Sequence, residues 1–229
     1  MVDVVIISLA KNAEFKKLTM DTVDTLLSSD PLIRFKVYII ESNKAESFPE
    51  YANNGDIEVI HPTSKFGYHR YLNIGINAGK NPFVCLCNND LLFEKGWATS
   101  MMHAMNKDPK LLSTSPYSTK PHKTVFKLPQ DREIEYGYKI RRHVAGWCIF
   151  QKRSIYQKIG RLDERFEFWY ADNDYAETLK RKNIKHALVR GSVVEHVESK
   201  TLKSKSAAEQ HALTRAQVKT FTDKWKIQP

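Results

Sequence analysis

Short apolar runs separated by helix-like segments dominate the first ninety residues. The run Val2–Leu9 is apolar and rich in β-branched residues, which predicts a buried parallel strand. Three shorter runs of the same kind follow, and apolar residues recur at helical intervals between them. This alternation indicates an α/β sheet whose ligands lie beyond the carboxyl ends of the strands. The predicted strands are Val2–Leu9, Phe35–Ile40, Ile57–Ile60 and Phe83–Cys87, and the predicted helices are Phe15–Leu27 and His69–Ala78.

The second half of the chain has a weaker pattern. Ser113–Lys139 is polar and basic, and Pro116, Pro121 and Pro129 exclude a long helix there, so we expect a mobile active-site flap or an irregular hairpin. Helices are predicted over Trp97–Met105, Ser154–Ile159 and Tyr170–Lys182, and strands over His143–Phe150 and Ala187–His196.

The last residues carry an amphipathic pattern. From Ser204 onward the chain can form a helix on which Val218, Phe221 and Trp225 lie at i, i+3 and i+7, flanked by lysines. Such a stripe favours docking on the protein's own domain, with binding to an anionic membrane as the alternative. No internal repeat or linker divides the chain further.

Composition narrows the class of protein. With 229 residues, 41% hydrophobic and 27% charged, the chain predicts one compact globular domain and excludes a disordered or fibrous one. The apolar runs fall well short of the roughly 20 residues that cross a bilayer, and the first residues lack the pattern of a signal peptide. We therefore expect a soluble, cytoplasmic protein without a transmembrane segment.

The three cysteines all lie in apolar runs. Cys85 and Cys87 are two residues apart on a predicted strand and therefore share a face, and Cys148 lies in another run. Because no C-x-x-C pair occurs, we expect buried free thiols and neither a zinc site nor a redox site.

Charge points to an anionic partner. Thirty-six Lys and Arg against 26 Asp and Glu give a formal charge of +10, which favours nucleic acid, anionic lipid headgroups or phosphorylated substrates. The basic residues concentrate in the tail and in a segment from Lys120 to His143, which we call the basic flap.

Polar residues at strand ends and helix starts are the candidates for chemistry. A carboxylate and an imidazole suit a divalent cation, with a coordination shell that a diphosphate would complete. Asp172 and Asp174 point about 200° apart on a helix, so one can face a cleft while the other caps the helix or makes a structural bond. The four candidate places are Glu41, the turn Asn88-Asn89-Asp90, the pair Asp172 and Asp174, and His196.

In this order, these motifs resemble the inverting nucleotide-sugar glycosyltransferases of family 2, over roughly residues 3 to 198. The resemblance implies a GT-A fold, an α/β architecture with a mixed, mostly parallel central sheet flanked by helices and a Rossmann-like N-terminal half. It also implies one catalytic domain over residues 1–200, with a nucleotide-sugar half (1–92) and an acceptor half (93–200). Residues 201–229 would then be a basic amphipathic helix or tail.

The resemblance implies a donor site for a nucleoside-diphosphate sugar, with UDP as the family's commonest nucleotide. Asn88-Asn89-Asp90 is similar to the family's Asp-x-Asp motif, with Asn in place of the first acid. Asp90 and His196 would bind Mn²⁺ or Mg²⁺, which would neutralise charge on the leaving diphosphate. The implied donor-binding residues are Ser8, Ala10, Asn12, Glu41, Lys65, Gly67, Asn73, Asn88 and Asn89.

The acceptor half is similar to the family's run into the catalytic helix. Asp172 stands where the family has its general base, and Ala171 replaces the acid before it. An inverting transfer needs one carboxylate to take the proton of the acceptor hydroxyl, and no covalent intermediate is required. The implied acceptor-side residues are Gly146, Trp147, Tyr170 and Asn173.

Three interpretations of the acceptor and of activity stay open. The basic flap, with Tyr117, Phe126, Tyr136 and Tyr138 interleaved, favours a modified DNA base or another polyanion as acceptor. The alternative is an envelope polysaccharide or lipid precursor, glycosylated by an enzyme held peripherally at an anionic membrane. The third is a non-catalytic nucleotide or nucleic-acid binder. If the acceptor is a modified base of a phage genome, the enzyme would be phage-encoded and would act in the host cytoplasm.

Overall fold

The computed structural model describes residues 1–197 and 207–228, with the side chains of the last helix from residue 214 onward. The strands are β1 (Val2–Ser8), β2 (Phe35–Glu41), β3 (Ile57–Ile60), β4 (Phe83–Cys87), β5 (Leu91–Phe93), β6 (Leu111–Tyr117), β7 (Ile134–Tyr136), β8 (Cys148–Lys152) and β9 (Lys185–His196). The α-helices are α1 (Ala13–Ser29), α2 (Tyr68–Ala78), α3 (Trp97–Lys107), α4 (Tyr156–Ile159), α5 (Ala171–Arg181) and α6 (Ala207–Trp225).

The described strands form one mixed sheet in the order β3-β2-β1-β4-β8-β6-β9-β5, with β7 beside β9. The first four run parallel, β8 is antiparallel to both of its neighbours, and β6 and β9 are parallel. The predicted α/β fold, with a mostly parallel sheet flanked by helices, is confirmed.

Both faces of the sheet are buried, as the continuous apolar run in β1 predicted. On one face, Val4 and Ile6 contribute to a core built with residues of α1 and α3. On the other face, Val5 and Ile7 contribute to a core built with residues of α2 and α5. Gly75 allows α2 to lie this close, because a Cβ there would fall 2.3 Å from a methyl carbon of Val5.

The prediction of an irregular flap over Ser113–Lys139 is wrong for its first five residues. They belong to β6, which lies between β8 and β9 and is buried. The strand was not predicted because its side chains are polar. They can be buried because they have hydrogen-bond partners in the core: the Ser113 hydroxyl lies 2.7 Å from the Tyr175 hydroxyl and 2.8 Å from His186 Nδ1. A pattern of hydrophobic residues along the sequence cannot predict hydrogen bonds between residues that are distant in the chain.

Two further elements differ from the prediction. The strand predicted over His143–Phe150 begins only at Cys148, because the preceding residues turn, with the Val144 and His143 amides both donating to the Lys139 carbonyl. The three-residue strands β5 and β7 were not predicted, since neither is long enough to show an alternation.

The C-terminal helix α6 packs on the domain. Phe221 is only 3% exposed and lies in a cluster with Phe166 and Ala171. Of the two interpretations of the apolar stripe, docking on its own domain is therefore the one observed. None of the described helices combines the length and the apolar composition that crossing a membrane would need.

Candidate functional site

The strand order brings the predicted polar residues to one edge of the sheet. Parallel pairing of β1 with β2 sets Ser8 opposite Glu41, and β4 ends directly before Asn88. Antiparallel pairing of β5 with the end of β9 sets Leu91 opposite His196. Residues that are distant in the chain therefore meet beyond the carboxyl ends of the central strands.

Asp90 and His196 form a close pair at this edge. The Asp90 Oδ1 to His196 Nε2 distance is 3.2 Å, and the His196 ring stacks on Trp147 with the ring centroids 5.5 Å apart. Both atoms are buried, yet neither has a correctly aligned hydrogen-bond partner within the part of the chain that the structure describes. Buried polar atoms without partners are uncommon, and a bound ion or an ordered water is one way to satisfy them.

This donor set fits a divalent cation. A carboxylate oxygen and an imidazole nitrogen are ligands that Mn²⁺ accepts, and the carboxylate also suits Mg²⁺. Among residues 1–197 and 214–228, whose side chains the structure describes, no third His, Cys, Asp or Glu joins the pair to make a three-ligand cluster. The protein would therefore supply part of a coordination shell and leave the rest to a phosphate ligand and water.

Glu41 holds the loop that follows β1. Its side chain is fully buried, and it accepts hydrogen bonds from the Ala10 amide at 3.1 Å and from the Asn43 amide at 2.6 Å. Asn43 in turn donates to the Ala10 carbonyl at 2.8 Å. Asn12 caps α1 by accepting from the Phe15 amide. The loop predicted to contact the nucleotide is thus fixed in place by its own acidic neighbour.

Thr19 of α1 joins the ends of β1 and β4, and sequence patterns did not single it out. Its hydroxyl lies 2.8 Å from the Ser8 hydroxyl and accepts from the Asn89 side-chain amide at 2.9 Å. Ser8 and Asn89, both predicted donor-site residues, are therefore brought together through one buried threonine.

Tyr68 is the central residue that the sequence analysis did not assign. Its hydroxyl lies 3.0 Å from both Asn88 Oδ1 and the Gly146 carbonyl oxygen, and donates its proton to one of them at a time. Burial raises the pKa of Tyr68, and the nearby carboxylates of Asp172 and Asp90 raise it further. Tyr68 therefore links the candidate donor side to the candidate acceptor side.

The residues around Tyr68 in the sequence have different environments. Gly67 caps α2, and the Lys65 side chain is 83% exposed. Asn73 is buried, and its side-chain amide bonds the Leu162 backbone twice, donating to the carbonyl at 2.9 Å and accepting from the amide at 3.1 Å. Asn73 thus clamps a loop of the acceptor half, and its place among the donor contacts stays a prediction.

Asp172 lies at the start of α5, close against Gly146. A Cβ on Gly146 would fall 2.7 Å from the Asp172 Cβ, so glycine is what allows the turn before β8 to approach the carboxylate. The Asn173 amide donates to Asp172 Oδ1 at 3.0 Å. Burial raises the pKa of Asp172, while the Arg141 guanidinium opposes that shift. A carboxylate with a raised pKa is a stronger base.

Asp174 points away from Asp172 and makes a structural bond. It accepts from Trp225 Nε1 at 2.8 Å and pairs with Lys224 Nζ at 2.7 Å, both on α6. Of the two acids, which helix geometry places about 200° apart, Asp174 is therefore the one that makes a structural bond, and Asp172 is the one that lies against Gly146. Tyr170, directly before α5, has a left-handed backbone with φ of 60°.

Several aromatic residues that were predicted to stack on nucleic-acid bases are not freely exposed on the basic flap. Tyr117 is fully buried in β6, which corrects its predicted place among exposed aromatic residues. The Tyr138 hydroxyl donates to the Ile184 carbonyl, and Phe126 lies beneath the Lys139 and Arg142 side chains. Exposed cations remain along the flap at Lys123, Lys127, Arg132, Lys139 and Arg141.

The three cysteines form one cluster in the core. The register of β4 with β8 sets Cys87 opposite Cys148, so the third thiol joins the two on β4. The Cys85 sulfur lies 3.4 Å from that of Cys87 and 3.7 Å from that of Cys148, and all three are buried and free.

Comparison with known proteins identifies the family of this chain. The model of Glycosyl transferase family 2 matches residues 5–160, which ends before Asp172. The low-salt glycan biosynthesis hexosyltransferase Agl10 of Haloferax volcanii is 22% identical over 167 residues, covering 64% of this chain and 53% of that protein.

Solved structures with a similar fold are glycosyltransferases. The mannosyltransferase PcManGT from Pyrobaculum calidifontis, in complex with GDP-Man and Mn²⁺, matches all of this chain and 65% of its own, with a TM-score of 0.68 at 13% identity. GalNAc-T7 with UDP, GalNAc and Mn²⁺ matches 86% of this chain and 43% of its own, with a TM-score of 0.67 at 15% identity. TarS of S. aureus with UDP-GlcNAc matches 93% of this chain and 64% of its own, with a TM-score of 0.60 at 12% identity.

The chain thus spans between about two fifths and two thirds of the length of these relatives. The matched family model covers most of the chain, and the fold agrees with the one that the motifs implied. This protein belongs to glycosyl transferase family 2 and has the GT-A fold.

Proposed function

We propose that the protein is a metal-dependent, inverting glycosyltransferase that moves a sugar from a nucleoside-diphosphate sugar to an acceptor hydroxyl. One observation carries the proposal: Tyr68 contacts both Asn88, in the turn that carries Asp90 of the metal pair, and Gly146, which lies against the Asp172 carboxylate. A cation-binding pair next to a lone carboxylate base is the minimal set for such a transfer.

Asp90 and His196 would hold the cation, together with oxygens of the donor diphosphate. The bound cation supplies charge neutralisation for the leaving nucleoside diphosphate. Tyr68 and Asn88 keep the turn that carries Asp90 against the turn that carries Gly146. The donor and the acceptor site are in this way kept at a fixed separation, which favours the reactive geometry.

Asp172 would act on the acceptor. The acceptor oxygen attacks the anomeric carbon from the face opposite the diphosphate, and the bond from that carbon to the diphosphate oxygen breaks. The electron pair leaves with the diphosphate, and the hydroxyl proton passes to Asp172. One inverting displacement thus needs no second catalytic carboxylate.

The proposed donor is a UDP-sugar. Two of the structural relatives carry UDP or UDP-GlcNAc, and a third carries GDP-Man, so GDP is the alternative to test. The proposed acceptor is anionic, because exposed cations lie along the basic flap as far as Arg141. The positive charge of Arg141 lowers the pKa of Asp172, so the cations extend to the candidate base. A modified DNA base and a membrane-associated envelope precursor are the two acceptor classes of this kind.

Thermal unfolding with nucleotides tests the metal pair. UDP, UDP-GlcNAc, GDP and GDP-mannose are each added with and without Mn²⁺. A ligand at about 100 times its dissociation constant adds roughly 2.7 kcal/mol, which raises the Tm by several degrees in a domain of this size. We expect a shift that requires Mn²⁺ and is confined to one nucleobase.

The variant His196→Ala should abolish the metal-dependent shift, because half of the protein's ligand set is removed. His103→Ala is the matched control, since His103 is exposed on α3. A nucleotide shift that is independent of Mn²⁺, or that survives in His196→Ala, would contradict the proposed metal site.

A further inference from the structure

We propose that α6 is part of the catalytic site, with Gln217, Phe221 and Trp225 acting as positioning residues for the segment Arg165–Asp174 that carries the base. This inference rests on the proposed role of Asp172. The three residues recur every four positions, so they share one face of α6. That face meets the acceptor half at three successive points along the segment.

The first point is the irregular loop before α5. The Glu167 carbonyl accepts from the Tyr68 amide at 2.7 Å, while the Glu167 amide donates to Gln217 Oε1 at 3.0 Å. Gln217 Nε2 also donates to the Arg165 carbonyl at 3.3 Å. The backbone of Glu167 is therefore held from one side by α2 and from the other by α6.

The second point is the entry to α5. Phe221 is 3% exposed and packs with Phe166 and Ala171, and its ring centroid lies 6.0 Å from that of Tyr170. Tyr170 has a left-handed backbone, which a non-glycine residue keeps only when its surroundings impose it. Phe221 is one of the residues that hold Tyr170 in this conformation, and Asp172 follows two residues after Tyr170.

The third point is the back of α5. Trp225 Nε1 donates to Asp174 Oδ1 at 2.8 Å, and Lys224 Nζ bridges Asp174 at 2.7 Å and Asp163 at 2.8 Å. Because Asp174 faces away from Asp172, these bonds hold the far side of the helix whose near side presents the base to Gly146. Interactions before, at and behind the start of α5 together fix its rotation and position.

Point variants of the full chain test the inference. Gln217→Ala removes the two loop hydrogen bonds, and Phe221→Ala removes the packing at the helix entry. Trp225→Phe removes the indole N–H together with part of the ring that packs there. Lys219→Ala is the control, since this side chain is 77% exposed and pairs with Asp223 on the same helix. Each variant is compared with wild type at a temperature at which both remain folded.

Two readouts are used. Amide hydrogen exchange should speed up at least tenfold for peptides that cover residues 165–175 and stay unchanged for β1 and β4, because the variants alter only the interface with α6. Hydrolysis of UDP-GlcNAc and of GDP-mannose with Mn²⁺, with water as the acceptor, should fall at least fivefold in kcat in Gln217→Ala and Phe221→Ala. The KM of the donor should stay within twofold, because the variants leave the donor site unaltered. Since every variant is assayed at a temperature at which it remains folded, a loss of folded protein does not account for the fall in kcat.

The result that overturns the inference is unchanged exchange over residues 165–175, or unchanged kcat, in all three variants. If Phe221→Ala does not fold, Trp225→Phe and Gln217→Ala decide, and exchange decides by itself if hydrolysis by wild type is below detection. Failure of the proposed function has a different signature. Asp172→Asn would then hydrolyse the donors as wild type does, whatever the α6 variants do.

Discussion

Asp172 combines three local conditions that suit a base. It lies in the first turn of α5, it is half-buried, and its side chain lies against a glycine that leaves room for the carboxylate. Burial raises its pKa, so that the ionised form at neutral pH takes up a proton more readily than an exposed aspartate does. The same burial costs the folded state free energy whenever Asp172 is charged.

The variant Asp172→Asn should lower kcat by about 10² to 10⁴-fold, because the amide cannot accept the proton. Nucleotide binding should stay intact, and the Tm at pH 7 should not fall, since a buried charge is replaced by a neutral side chain of the same shape. Donor turnover and thermal unfolding measure the two effects, with Asp21→Asn on the exposed side of α1 as the control.

The raised pKa of Asp172 also predicts how kcat depends on pH. Activity needs ionised Asp172, so the acid limb of kcat should lie above the ordinary aspartate range and should be absent from the residual rate of Asp172→Asn. Full activity of Asp172→Asn with unchanged nucleotide binding would instead support a different base. Nucleotide binding without turnover in wild type would favour the non-catalytic binder.

At the scale of elements, short pieces of backbone complete the site. The three-residue strand β5 pairs with the end of β9 and thereby brings Asp90 to His196. Glu195, next to His196, accepts from the Ser118 hydroxyl at 2.9 Å and from the Thr119 amide at 3.0 Å, which anchors the start of the basic flap. The flap is therefore attached directly beside the candidate metal pair.

The flap's exposed cations should set acceptor binding. The double variant Lys123→Gln with Lys127→Gln should weaken binding of a single-stranded oligonucleotide, and the salt slope should drop by about 0.7 for each phosphate that the variant no longer neutralises. Lys107→Gln with Lys158→Gln, on exposed positions elsewhere, is the control. Fluorescence anisotropy at several salt concentrations makes the measurement.

Vesicles of phosphatidylcholine with phosphatidylglycerol provide the second arm. Binding of the oligonucleotide alone favours a nucleic-acid acceptor, and binding of the vesicles alone favours an envelope precursor. If neither is bound more tightly by wild type than by the flap variant, the proposal of an anionic acceptor fails.

The whole molecule is held together partly by buried neutral histidines. His69 Nδ1 donates to the Asp163 carbonyl, and His186 bridges the Ser113 hydroxyl and the His143 carbonyl. Burial lowers the pKa of both histidines to about 4. Burial also lowers the pKa of His122, whose Nδ1 accepts from the Ser118 amide.

Stability should therefore fall as pH drops below about 6.5. The unfolded chain takes up these protons at the ordinary histidine pKa of about 6.5, whereas the folded chain resists them down to about 4, so unfolding is favoured within that window. We expect the free energy of unfolding to decrease by a few kcal/mol, in order of magnitude, between about pH 7 and about pH 5. Urea unfolding at both pH values measures it, and His186→Gln should flatten the dependence. A flat profile in wild type would contradict the assignment.

Local patterns determined most of the fold and the kinds of residue in the site. Continuous apolar runs predicted the four parallel strands, because a strand buried on both faces has no polar side. Polar residues at the ends of the predicted strands indicated the edge at which Glu41, Asp90 and His196 lie, because strands that run in the same direction end at the same edge of the sheet. The family was also evident, since its motifs are local in sequence.

Only the tertiary structure decided which of these residues meet. Strand β6 is polar in sequence, and it is buried because Tyr175 and His186 satisfy its Ser113 hydroxyl from distant elements. The sequence motif did not predict that the Asn73 amide bonds the backbone of Leu162, 89 residues away in the chain. Hydrogen-bond partners, unlike hydrophobic periodicity, are set by long-range packing. For the same physical reason, only the folded chain revealed Tyr68 between the donor and acceptor sides and α6 behind the base.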